Sequence, residues 1–138
     1  MKVTRETDYA IRAVLLLSED RGKTLPVSAL SEKMDLPRSF LAKILQKLSR
    51  AGIVESIRGA SGGYRLKRNP SRISLYDLYK AVQGEFVVNE CAVEGRVCSR
   101  KERCAVHPVW KKIEREAVRE MKKHSIASLS GEKSSQRS

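Results

Sequence analysis

The chain has 138 residues, 41% hydrophobic and 32% charged, and its 28 Lys and Arg against 16 Asp and Glu give a formal net charge of +12. That length supports one modest core and excludes a second, and the longest apolar run, Ala13 to Leu17, is far too short to cross a bilayer. A pI near 10.0 points to a polyanionic partner, nucleic acid before any other.

The opening Met1-Lys2-Val3-Thr4 leads straight into helical pattern with no apolar signal segment, so a soluble, cytoplasmic protein with no membrane association is expected. From Arg5 onward Tyr9, Ala10, Ala13, Val14, Leu16 and Leu17 recur at helical spacing, with Thr4 placed to cap the helix and Gly22 to stop it. After Thr24-Leu25-Pro26, Leu30 and Met34 mark a short helix over Val27 to Met34, and Asp35-Leu36-Pro37 breaks the pattern. A further helix follows from about Pro37 to Ala51. Phe40, Leu41, Ile44, Leu45 and Leu48 share one face, and Arg38, Ser39, Lys43, Gln46, Lys47 and Arg50 mostly occupy the other.

Ile53 to Arg58 and Tyr64 to Arg68 have strand character around Gly59-Ala60-Ser61-Gly62-Gly63, which predicts a two-stranded wing. These glycines lead from strand to strand, whereas a phosphate-binding loop must open a helix. Ser74-Leu75-Tyr76-Asp77 has the form of a capping box and starts a helix that runs to about Val82 before Gly84. Glu85 to Val106 shows no sustained period and reads as a long loop, of a length that usually needs a ligand or a function to order it. Pro108 suits a first helical position, and Val106, Trp110, Ile113, Ala117 and Met121 draw a narrow stripe down a charged helix, the pattern of a helix-helix seam. From Ser125 the composition turns to Ser, Lys, Gln and Gly, so a tail frayed or disordered beyond about Gly131 is expected.

Helix, turn, amphipathic helix and glycine-rich hairpin, in that order and in a basic chain, form the pattern of a winged helix-turn-helix DNA reader. Ser39 and Lys43 stand four apart near the start of the reading helix, where they reach toward base edges, and Arg58 extends that role to the wing. Arg38, Lys47 and Arg65 suit salt-dependent phosphate contacts. No arrangement of Ser, His and Asp suggests hydrolytic chemistry, and no enzymatic activity is expected.

Cys91, Cys98, Cys104 and His107 crowd into seventeen residues of a chain with no other cysteine. Three thiols cannot all pair as disulfides, which favours a reducing compartment. Thiolate and imidazole donors suit a soft metal ion or an iron-sulfur cluster. Unligated thiols, structural zinc and a cluster are all compatible with the spacing; its wide gaps suit a loop wrapped around an object larger than one ion.

The opening Thr4-x-x-x-Asp8-Tyr9-Ala10, the stretch Phe40-Leu41-Ala42-Lys43-Ile44-Leu45, the wing Arg58-Gly59-x-x-Gly62-Gly63-Tyr64-Arg65-Leu66 and the cysteine loop together resemble the IscR/NsrR family of bacterial winged-helix regulators. The resemblance runs from about Met1 to Leu129. It implies a homodimer on a double-stranded DNA operator and a cluster whose state alters DNA binding. By the same resemblance, Cys91, Cys98, Cys104 and His107 would hold a 2Fe-2S cluster. Asp8 of the partner subunit matches the alternative fourth ligand, of a 4Fe-4S cluster.

The expected protein is therefore mainly α with a small β wing. Residues 1–83 would form the winged helix-turn-helix domain, 84–107 the cluster-binding loop, 108–124 a dimerisation helix and 125–138 a short, partly disordered tail. Its expected function is that of a dimeric transcription regulator, a repressor, sensing iron-sulfur status, redox conditions or nitric oxide. The rival readings are a zinc-stabilised DNA-binding regulator and a small iron-sulfur electron-transfer protein.

Overall fold

The structure, a computed structural model, describes residues 2–20, 22–88 and 105–137. Helix α1 (Arg5–Glu19) starts where Thr4 accepts a hydrogen bond from the Thr7 amide at 3.2 Å, and Glu6 and Asp8 add negative charge to its first turn. Helices α2 (Val27–Met34) and α3 (Arg38–Arg50) are joined by a three-residue turn. In that turn Asp35 takes a left-handed conformation, φ 52°, while its amide reaches back to the carbonyls of Ser31 and Glu32. The Ser31 hydroxyl also donates to the Leu36 carbonyl, fixing the angle at which α3 departs.

Strands β1 (Val54–Ile57) and β2 (Gly63–Leu66) pair antiparallel, with Val54 opposite Leu66 and Ile57 opposite Gly63. The other edge of β2 carries an isolated bridge: Leu25 and Tyr64 exchange backbone hydrogen bonds at 2.9 and 2.8 Å. The wing is thus fastened to the entrance of α2. A 3-10 turn (Pro70–Arg72) leads to α4 (Leu75–Gln83), whose first turn forms the reciprocal capping box expected of Ser74 and Asp77.

One core unites these elements. Ala10, Ala13, Val14 and Leu17 of α1 meet Leu30, the Leu41, Ile44, Leu45 and Leu48 face of α3, Ile53 and Val54, Ile73 and Leu78. Phe40, expected on the apolar face of α3, instead sits on its flank at 36% exposure, edge-on to Tyr9 with ring centroids 5.8 Å apart.

Helices α5 (His107–Lys123) and α6 (Ile126–Arg137) complete the fold. No residue of α5 is buried. Along the expected stripe Trp110, Ala117 and Met121 are half-buried, whereas Val106 and Ile113 stay exposed and are joined by Val109. The chain just beyond α5, ahead of the stretch expected to fray beyond about Gly131, is tied to the domain. Ser125 bridges Ser74, the Leu75 and Ile126 amides donate to the His124 and Ile73 carbonyls at 2.8 Å, and Ile126 is fully buried. Leu129, one helical turn on, packs against the same core. Among the described residues no helix is long and apolar enough to cross a membrane.

Candidate DNA interface and cluster ligands

The outward face of α3 presents Arg38, Ser39 and Lys43, all exposed. Arg38 and Lys43 have no ion-pair or hydrogen-bond partner among the described residues, and no side chain caps the helix start at Pro37. A phosphate approaching this end meets free backbone N–H groups and uncommitted cations. Arg58, at the exit of β1, is also exposed and uncommitted.

Lys47 and Arg65 behave differently. The Lys47 ammonium lies 2.7 Å from Glu6 of α1, and the Arg65 guanidinium donates to Glu55 across the wing at 2.7 Å. Both carboxylates compete with phosphate for these cations.

Two residues that sequence reasoning left without a role join distant parts of this region. Arg68 donates to the carbonyls of Ala51 at 2.8 Å and Gly52 at 3.3 Å, and stands 3.6 Å from Asp77. Gln83, the last residue of α4, accepts from the Thr7 hydroxyl at 2.6 Å and the Thr4 amide at 3.1 Å. No local pattern announces such contacts, because the hydrogen-bond partners lie 16 to 79 residues away.

Of the proposed ligands, Cys91, Cys98 and Cys104 lie outside the described residues. His107 opens α5, directly before Pro108, and its Nδ1 is buried with no hydrogen-bond partner among the described residues. A ring nitrogen left so is costly, about 1–3 kcal/mol, unless something binds it. Asp8 is already engaged, its carboxylate 2.9 Å from the Arg12 guanidinium. Among the described residues alone no group of three or more potential metal donors converges.

The far side of α5 faces an aromatic patch. Tyr76 stacks on Tyr79 at 6.5 Å, Tyr79 meets Phe86 edge-on at 5.6 Å, and the Lys122 ammonium sits 5.4 Å above the Tyr76 ring. Burial, and then the neighbouring Tyr76 phenol, push the Tyr79 hydroxyl above its ordinary range. At the helix end, hydrogen bonding from His124 and the charge of Lys123 hold the exposed Glu120 carboxyl below its ordinary range.

A helix-turn-helix with an exposed cationic reading face, an antiparallel wing beside it and a long helix with an uncovered apolar flank define a winged-helix DNA-binding transcription regulator. The chain belongs to the Rrf2 family, described as iron-dependent transcriptional regulators, which it matches over residues 3–132. It is an IscR/NsrR-like member, a regulator and not an enzyme. Over 114 residues it is 32% identical to the HTH-type transcriptional regulator IscR of Vibrio vulnificus, covering 82% of this chain and 67% of that protein. The HTH-type transcriptional regulator NsrR of Bacillus subtilis is 30% identical over 110 residues, 79% of this chain and 72% of that protein. Among solved structures, CymR, the global cysteine regulator of B. subtilis, superposes with a TM-score of 0.74 at 24% identity, covering 95% of this chain and 97% of that one. IscR of T. potens gives 0.70 at 24% identity, over 94% and 85%. At that identity the two structures speak for the shared fold.

Proposed function

We propose that the protein is a homodimeric repressor whose DNA affinity is set by a 2Fe-2S cluster held by Cys91, Cys98, Cys104 and His107. The observation that carries the cluster is the Nδ1 of His107, buried and without a hydrogen-bond partner among the described residues, three residues beyond Cys104 and at the mouth of α5. As a donor set, one imidazole and three thiolates fit such a cluster. The first-turn N–H groups and the positive end of the α5 dipole favour the anionic charge those thiolates bring. When bound, the cluster supplies a group sensitive to redox state, to iron-sulfur supply or to nitric oxide. His107 rather than Asp8 serves as fourth ligand in this reading, because the Asp8 carboxylate is already satisfied by Arg12.

The dimer rests on α5. Val106, Val109 and Ile113 leave an apolar flank exposed on an otherwise charged helix, and a second copy of the same helix would cover it. Each protomer would then present one α3 to the major groove of a two-fold operator, with Ser39, Lys43 and Arg58 reading bases and Arg38, Lys47 and Arg65 holding phosphates.

Anaerobically purified protein should absorb between about 300 and 600 nm and contain iron and sulfide in equal amounts, as the bridging chemistry of a 2Fe-2S cluster requires. His107→Ala should alter or strip this spectrum and change DNA affinity, while Asp8→Ala leaves both intact. The opposite pattern, or a colourless protein loaded with zinc, would overturn the assignment.

A further inference from the structure

Nine residues long, α4 connects the DNA-reading half of the chain to the segment that leads to Cys91. Both of its ends are fastened, and to different helices. At the C-terminal end, one atom, Gln83 Oε1, accepts from the Thr7 hydroxyl at 2.6 Å, the Thr4 amide at 3.1 Å and the Thr4 hydroxyl at 3.4 Å. The same side chain donates through Nε2 to the Lys2 carbonyl at 2.8 Å. Thr7 is 1% exposed, so without Gln83 its hydroxyl would lose its acceptor on α4 in the core. At the N-terminal end, Asp77 Oδ2 caps α4 by accepting from the Ser74 amide at 2.9 Å and also faces the Arg68 guanidinium at 3.6 Å. Arg68 in turn holds the Ala51 and Gly52 carbonyls at the end of α3, where the helix dipole favours a cation.

We infer that Gln83 and Arg68 are positioning residues that clamp the two ends of α4, Gln83 to the first turn of α1 and Arg68 to the C-terminal cap of the reading helix α3. Gly84, with φ 82°, follows the clamp directly, so the segment running on to Cys91 departs from a helix that cannot shift alone. Displacement of α4 must break the Gln83 contacts, break the Arg68 contacts, or carry α1 and α3 with it. The third course links the cysteine segment to the DNA-reading face and also moves the turn that bears Asp8. This deepens the proposed cluster-dependent regulation and rests on it for the stimulus, though the clamp itself does not depend on a ligand.

Full-length wild type, Gln83→Ala, Gln83→Glu, Arg68→Ala and Arg68→Lys are compared in two measurements. The first is affinity, cluster-loaded and cluster-free, for a duplex selected by the wild type from a random-sequence library. The second is amide hydrogen exchange in the cluster-free proteins. Allosteric coupling typically spans about 5- to 150-fold in affinity. Gln83→Ala and Arg68→Ala should each pull the loaded-to-empty affinity ratio at least severalfold toward one. Gln83→Glu, which keeps the accepting oxygen, and Arg68→Lys, which keeps the cation, should recover part of it. Exchange should accelerate in the first turn of α1 for Gln83→Ala and in the last turn of α3 for Arg68→Ala. An unchanged ratio in both alanine variants, or exchange that rises uniformly over the whole chain, would overturn the clamp. Equal affinities of loaded and empty wild type would instead defeat cluster regulation, and the local exchange pattern would still decide whether Gln83 and Arg68 hold these turns.

Discussion

Replacing Gly63 by Ala should damage the protein well beyond the same change at Gly59, four residues earlier. Both glycines have positive φ, 152° and 114°, so either alanine incurs backbone strain of about 1–3 kcal/mol. At Gly59 the new methyl group meets nothing within 4 Å. At Gly63 it runs into the Leu25 carbonyl and lies 2.6 Å from the Pro26 nitrogen, backbone atoms that cannot rotate aside. Relief requires β2 to leave the Leu25 bridge, with loss of both hydrogen bonds, at 2.9 and 2.8 Å. At about 0.5–1.5 kcal/mol for each bond, Gly63→Ala should be less stable than Gly59→Ala by about 1–3 kcal/mol. Urea denaturation, read as a change of midpoint at constant slope, measures this difference. The displaced wing should also weaken DNA binding through Arg58. Equal destabilisation by the two substitutions would refute the role given to the bridge.

On α5, Ile113→Glu should leave the fold intact and yield monomers in analytical ultracentrifugation, because its target is the flank that the protomer leaves exposed. Among the wing cations, Arg58→Ala should cost about 1–3 kcal/mol on the selected duplex and relax its sequence preference. Arg65→Ala should lose less, since Glu55 already holds that guanidinium; titrations at several salt concentrations separate the two. Finally, Ile126→Ala, at a fully buried site, should destabilise the protein by about 2–5 kcal/mol, whereas an irregular tail at this position would predict almost no change.

The features legible in the sequence are those written into neighbouring residues. Thr4 and Thr7, Ser74 and Asp77, and Asp35 with the carbonyls behind it are all contacts within one helical turn, and each marks an element end that the structure reproduces. The α3 core face was equally plain, since Leu41, Ile44, Leu45 and Leu48 share a helical period. Phe40 was misplaced because it lies at the margin of that period, where it packs edge-on against the Tyr9 ring and stays partly exposed. Composition did not announce how the segment after α5 is seated: Ile126 is fully buried beside Ser125, whose strand-like bridge reaches Ser74, 51 residues upstream. For the site, charge and spacing picked out Arg38, Ser39, Lys43 and Arg58, but not that Glu6 and Glu55 hold Lys47 and Arg65. Those pairings exist only once α1 lies beside α3 and β1 beside β2.

The burial of Ile126 bears on how the protein is made. Helices α1 to α4 resemble a unit that a ribosome could release and let fold early, yet one of their core positions is filled by a residue that emerges only after α5. Until that residue emerges the nascent domain lacks one core side chain, and the bridge from Ser125 to Ser74 forms only when the segment past His124 arrives. A translation product halted within α5 would therefore carry every residue proposed to contact DNA while lacking the last core side chain. Completion of the core and presentation of the apolar flank of α5 then fall at the same late moment of synthesis.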